Sequence, residues 1–99
     1  MAIVIIGHAP NRAMYDAVTA AMEETLGGEL VAQDGLIVHT ASELADGSIQ
    51  IVDVWATAAA AEAFEQNLLL PAFVTVGVPQ ELLDASPAER TETFELTTP

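Results

Sequence analysis

The chain contains no cysteine and no lysine, and its only strong cations are Arg12 and Arg90. Without cysteine there is no disulfide, no thiolate nucleophile and no Cys-based metal site. Without clustered Lys and Arg there is no electrostatic grip on a phosphate backbone, and anionic membrane surfaces are equally unattractive. Nucleic acid and membrane are therefore excluded as partners. Long apolar runs are missing too: no stretch approaches the ~18 residues that would span a bilayer. Met1 to Gly7 is apolar but short and lacks a basic start, so it reads as a strand rather than an export signal. A cytoplasmic location is the expectation. No Gly-x-Ser-x-Gly elbow occurs, and Gly27-Gly28 reads as a helix stop rather than a phosphate loop. No ligand spacing links His8, His39 and Asp53 as a metal site, so neither metal nor cofactor is expected.

What is present is acidic and apolar. Fifteen Asp and Glu residues give a formal net charge of −13 at pH 7, and 52% of the 99 residues are hydrophobic. Acidity of this kind serves solubility through mutual repulsion. The apolar content is too high for a disordered chain. The length suits a single domain over residues 1–99, which would bury roughly 60–65% of its unfolded surface.

The pattern along the chain predicts β-α-β-β-α-β. Ala2 to Ile6 is a β-branched run of the sort found in strands buried on both faces. Asn11 is a fitting N-cap for a helix from Arg12 to Leu26, with Met14, Val18, Met22 and Leu26 on one stripe. Gly35–Ser42 and Ile49–Ala56 read as two strands joined at Asp46-Gly47. Thr57 caps a second helix, Ala58–Leu69. Pro71 is expected to interrupt it and to start a short piece, Pro71–Val76, that reads equally as helix or strand. Residues 80–89 read as loop, and Arg90–Thr97 as the last strand, with Phe94 and Leu96 on one face. This is the split βαβ order of a ferredoxin-like α+β domain with an antiparallel sheet.

Strands one and three are apolar on both faces, whereas two crossover helices cover only one. The second face needs a cover, and another copy of the same sheet is the simplest one, so a homodimer is expected. The alternative is a monomer whose 80–89 segment folds back over that face. Alternation groups Asp53 and Trp55 with Ile49 and Ile51; this set is expected to point away from the helices, into the space a dimer would enclose.

His39 lies in the middle of strand two. With a three-residue loop, Ala45-Asp46-Gly47, position 39 falls opposite position 53, roughly 5 Å apart at Cβ. A carboxylate-oriented histidine beside an aromatic wall suits general acid–base work; a buried pair that pins strand register suits structure equally. His39 and Asp53 are the catalytic candidates. Trp55, His8 and Tyr15 are the candidates for binding a substrate: Trp55 as the wall, His8 at the rim where strand one ends, Tyr15 off the apolar stripe of its helix. Arg12 is expected to offset the chain's own negative charge.

Tyr15-Asp-Ala-Val, Gly35-Leu-Ile-Val-His39, Val52-Asp-Val-Trp55, Ala61-Glu-Ala-Phe64, Pro71-Ala-Phe and Gly77-Val-Pro together resemble the dimeric α/β-barrel superfamily, which includes the antibiotic-biosynthesis monooxygenase-like proteins. The resemblance covers most of the chain and implies two ferredoxin-like subunits joined sheet to sheet. It is nearest to small bacterial members of this group, whose oxygenases work without metal or flavin. Haem-degrading members use a strand-one Asn, a Trp ending strand three and a His on helix two. Trp55 matches the second, but Ile6-Gly7-His8 and Glu65-Gln66-Asn67 stand where the other two would be, so haem degradation is not implied. The functional expectation is a small apolar or aromatic molecule bound near Trp55, with cofactor-independent monooxygenase activity as its enzymatic form. The alternative is a non-catalytic structural or regulatory homodimer. A third option, strand addition at the strand-four edge, has no residue that speaks for it.

Overall fold

The computed structural model describes residues 1–30 and 33–97. Strand β1 (Ala2–Ala9) leads into helix α1 (Arg12–Leu26), then β2 (Leu36–Glu43) and β3 (Ile49–Trp55). A helical run follows as α2 (Ala58–Phe64), a π-helical turn (Glu65–Leu69) and α3 (Leu70–Val76), and then a short α4 (Gln80–Ala85) and β4 (Glu89–Thr93). The strands form one antiparallel sheet in the order β2-β3-β1-β4, which is the expected ferredoxin-like α+β arrangement.

Local chemistry explains most boundaries. Asn11 Oδ1 accepts from the Met14 amide at 2.8 Å and Thr57 Oγ1 from the Ala60 amide at 3.1 Å, so both expected caps form. The β2–β3 hairpin closes through Leu44 and Ser48, with Gly47 at φ 86°, where a side chain would be strained. That turn sets the register and puts His39 opposite Asp53, as the three-residue loop requires.

Four expectations are corrected. Pro71 does not break the helical run: it sits at the start of α3, and the π turn before it keeps the backbone helical through Leu69 and Leu70. Its strand reading is thereby removed. Residues 80–85 are helical, since Glu, Leu, Leu and Ala are good helix formers and Pro79 starts the turn from outside. The last strand stops at Thr93, because Thr93 pairs with Ala2 and β1 offers no further partner; Phe94 then lies 90% exposed. Leu96 lies beyond the strand as well.

The fourth correction concerns the faces of the sheet. The buried cluster joins Val18 and Met22 of α1 with Trp55 of β3 and with Ala61, Phe64 and Leu68 of the helical run. The set Ile49, Ile51, Asp53 and Trp55 therefore faces the helices, and Val52 and Val54 face away, the reverse of the expectation. With Ile on one side of β3 and Val on the other, alternation groups the residues without saying which group is covered. The uncovered face carries Val4 and Ile6 of β1, Val38 of β2 and Val52 and Val54 of β3. Among the described residues, Glu89 is the only acidic strand residue on that face.

Candidate functional site

A cavity of about 490 Å³ lies between the helical layer and the sheet. Ile5 and Ile51 form part of its floor, Met14, Val18 and Met22 line it from α1, and Phe64, Leu69 and Phe73 from the helical run. Leu82 and Leu83 of α4 and Pro87 close another side. The 80–89 segment is thus on the helix side of the sheet, so it does not fold back over the open face as the monomer alternative requires. Trp55 forms a wall: it is 1% exposed, with its ring 5.0 Å from that of Phe64. Its Nε1 is buried with no hydrogen-bond acceptor among the described residues.

The polar part of the floor is a chain of three side chains. His39 Nδ1 lies 2.5 Å from Asp53 Oδ1, and His39 Nε2 lies 2.8 Å from Tyr15 Oη. Both members of the first pair are nearly enclosed, at 16% and 13% side-chain exposure. An ionised carboxylate only accepts, so His39 donates from Nδ1 and its Nε2 is left to accept from the Tyr15 hydroxyl. The Tyr15 and His39 rings are close to parallel, 13° apart, which keeps this bond in line. Helix α1 supplies Tyr15, β2 supplies His39 and β3 supplies Asp53, so three elements converge on one point.

Burial pushes the Asp53 carboxyl above the usual aspartate value, and the hydrogen bond and charge of His39 draw it part of the way back. A carboxyl raised in the folded state contributes stability below its unfolded pKa that is lost as pH rises through the folded one. Asp53→Asn removes that loss. Melting curves between about pH 3.5 and about pH 6.5 should show the variant gaining on the native protein as pH rises past the ordinary carboxylate value of ~3.9. A gap independent of pH would contradict the buried charge.

The other expected site residues divide. Tyr15 joins the pair more closely than its sequence position suggests, through a hydrogen bond no motif announces. Trp55 lines the cavity on the helix side of the sheet, not on the face expected for it. His8 is exposed at the cavity's edge, close enough to Asp46 to help hold that carboxyl below its usual range, after the Ser48 hydrogen bonds that dominate. It does not reach the polar floor. Arg12 Nε donates to Asp16 at 3.0 Å on the exposed face of α1, in line with its expected charge-offsetting role. Sequence reading missed Arg90, which donates to Glu65 from β4; both line the cavity. Spacing of 25 residues gives no local signal for that pair. Among the described residues no group of three or more His, Asp or Glu is placed to hold a metal ion, and no helix is long and apolar enough to cross a membrane.

No protein-family profile and no curated protein matches the chain. Solved structures do. Rv0793 of Mycobacterium tuberculosis is 16% identical and superposes with a TM-score of 0.68, covering 99% of this chain and all of its own. A Chloroflexus aurantiacus protein described as a candidate antibiotic biosynthesis monooxygenase is 13% identical at TM-score 0.62, covering 99% of this chain and 98% of its own. SnoaB of Streptomyces nogalater, described as a cofactor-independent oxygenase, is 23% identical at TM-score 0.54, covering 99% and 97%. At these identities the likeness speaks for the backbone alone, and on that ground the chain has the ferredoxin-like α+β fold of the antibiotic biosynthesis monooxygenase-like proteins.

Proposed function

We propose that this protein binds a small apolar or aromatic molecule bearing a hydroxyl in the cavity beside Trp55. The observation that carries this reading is the Tyr15–His39–Asp53 chain set in the floor of a largely apolar cavity of about 490 Å³. That volume lies in the range of small-molecule sites, and a few convergent polar groups in an apolar lining are their usual make-up. A purely structural role explains the cluster less well. The hairpin turn already sets the register, and a buried carboxylate opposes folding where a neutral cross-strand pair would not. In its enzymatic form the site removes the hydroxyl proton and leaves an electron-rich ring that reacts with dioxygen directly. One oxygen atom enters the ligand and the other leaves as water with two of its hydrogens, so no cofactor is needed. The oxygenase name of SnoaB supports this form.

Fluorescence titration with 2-naphthol tests the pocket. His39→Ala should weaken binding by at least about tenfold, ~1.4 kcal/mol, while the far-UV spectrum stays native. Undiminished binding by the folded variant would remove this reading.

The working form is a homodimer joined through the open sheet face. All helices described lie on the other side, and the 80–89 segment does too. In a chain of net charge −13, this face is also the one from which acidic strand residues other than Glu89 are missing. Two copies can approach there with the least repulsion, and a self-complementary contact needs a single two-fold axis. Light scattering should give twice the subunit mass, with dissociation weakening as salt screens the remaining charge. Val52→Asp should yield a folded monomer that still binds 2-naphthol, because the cavity is built within one subunit. A native protein that is monomeric at all salt concentrations sinks the dimer and leaves the pocket standing. The second reading, a non-catalytic structural dimer, draws on this same face.

A further inference from the structure

Both ring nitrogens of His39 are engaged, Nδ1 with Asp53 and Nε2 with Tyr15. The imidazole therefore has neither a lone pair nor a proton to offer a ligand. The phenol oxygen of Tyr15 does: its proton is committed to Nε2, and its remaining lone pair is free to accept. Tyr15 is itself a lining residue of the cavity.

Building on the pocket reading above, we infer that Tyr15, not His39, meets the ligand's hydroxyl and serves as its proton acceptor. The transfer runs in one concerted sense. The ligand O–H bond breaks as a new O–H bond forms at Tyr15 Oη, and the original Tyr15 proton passes to His39 Nε2. The ligand is left as an oxyanion and His39 as an imidazolium held between Tyr15 and Asp53. Protons and charge balance without any further reactant. Asp53 sets the direction: as an acceptor it forces the Nδ1–H tautomer, and as an anion it stabilises the imidazolium that results. The arrangement selects ligands that donate a hydrogen bond; a ligand that only accepts meets an oxygen whose proton is already spoken for. His39 and Asp53 thus act through Tyr15, as positioning residues and as the store for the proton. The other titratable groups around the cavity are Glu65, neutralised by Arg90, together with Asp84 and His8 at its edge.

The test uses 4-nitrophenol, whose absorption reports its own ionisation. Bound to the native protein, it should titrate at a pH at least about one unit lower than when bound to Tyr15→Phe, a tenfold change in the ionisation constant. Tyr15→Phe keeps the ring and should still bind the neutral phenol, within about tenfold of the native protein, the worth of one hydrogen bond. His39→Gln should abolish the shift with Tyr15 in place. If the bound phenol ionises alike in the native protein and in Tyr15→Phe, the inference is overturned and the pocket reading survives. If Tyr15→Phe keeps the shift and His39→Gln loses it, His39 contacts the ligand directly and the inference again fails. If the native protein binds no 4-nitrophenol, both readings fall.

Discussion

Replacing Trp55 with alanine should cost about 3–5 kcal/mol of folding free energy, the range for emptying an aromatic site in a packed core. The indole is 1% exposed, packs tilted against Phe64 at 5.0 Å between ring centres, and joins the sheet to α1 and to the α2–α3 run. For a domain whose whole stability is typically ~5–15 kcal/mol, that is a large share. The melting temperature should fall by roughly 15–30 °C, read by circular dichroism. Trp55→Phe separates packing from polarity. It leaves a small void, which destabilises, but it also deletes the buried Nε1–H that lacks an acceptor, which relieves about 1–3 kcal/mol. The two effects nearly cancel, so this variant should stay within about 1 kcal/mol of the native protein. If it melted as low as Trp55→Ala, the indole N–H would have to be making a bond that the structure lacks.

Gly35→Ala should be the next most damaging substitution, at about 2–5 kcal/mol, although it adds one carbon. Two penalties combine. Gly35 has φ 85°, a conformation unfavourable to any L side chain, and a Cβ there would sit 2.7 Å from Ala60 Cβ on α2. Ala60 has no torsion to move its Cβ away, so α2 itself must shift from the sheet. The clash would also disturb the Trp55–Phe64 wall, since Gly35 precedes the strand that flanks it and its carbonyl holds the Ala56 amide at 2.7 Å. Urea titrations of Gly35→Ala, Ala60→Gly and the double variant form the check. The double variant should recover at least about 1 kcal/mol relative to additivity, leaving the backbone penalty. Strict additivity would show that the two residues do not touch.

Much of this fold was readable because its signals are local. The boundaries of α1 follow from Asn11 and Gly27, the start of α2 from Thr57, and the hairpin register from Gly47; each is a short-range hydrogen-bond or dihedral requirement. The His39–Asp53 pairing followed from that register. Where the reading failed, the deciding interaction was remote. The π turn before Pro71 puts Leu68 into the buried cluster, among residues distant in sequence. The end of β4 depends on its antiparallel pairing with the first residue of β1, Ala2. The orientation of β3 depends on which of two equally apolar faces the helices choose, and no residue in Ile49–Trp55 encodes that by itself.

The same division holds for the site. By itself the sequence determined a helix, a turn and a strand pairing, and with them a carboxylate facing an imidazole, since these rest on contacts between near neighbours and on two-residue alternation. Only the tertiary structure decided that this pair lies under the helices, that Tyr15 from α1 completes it, and that Arg90 reaches Glu65. Those outcomes depend on how whole layers stack. Layer stacking is governed by the total apolar area removed from water, which many residues share and which no short stretch of sequence specifies.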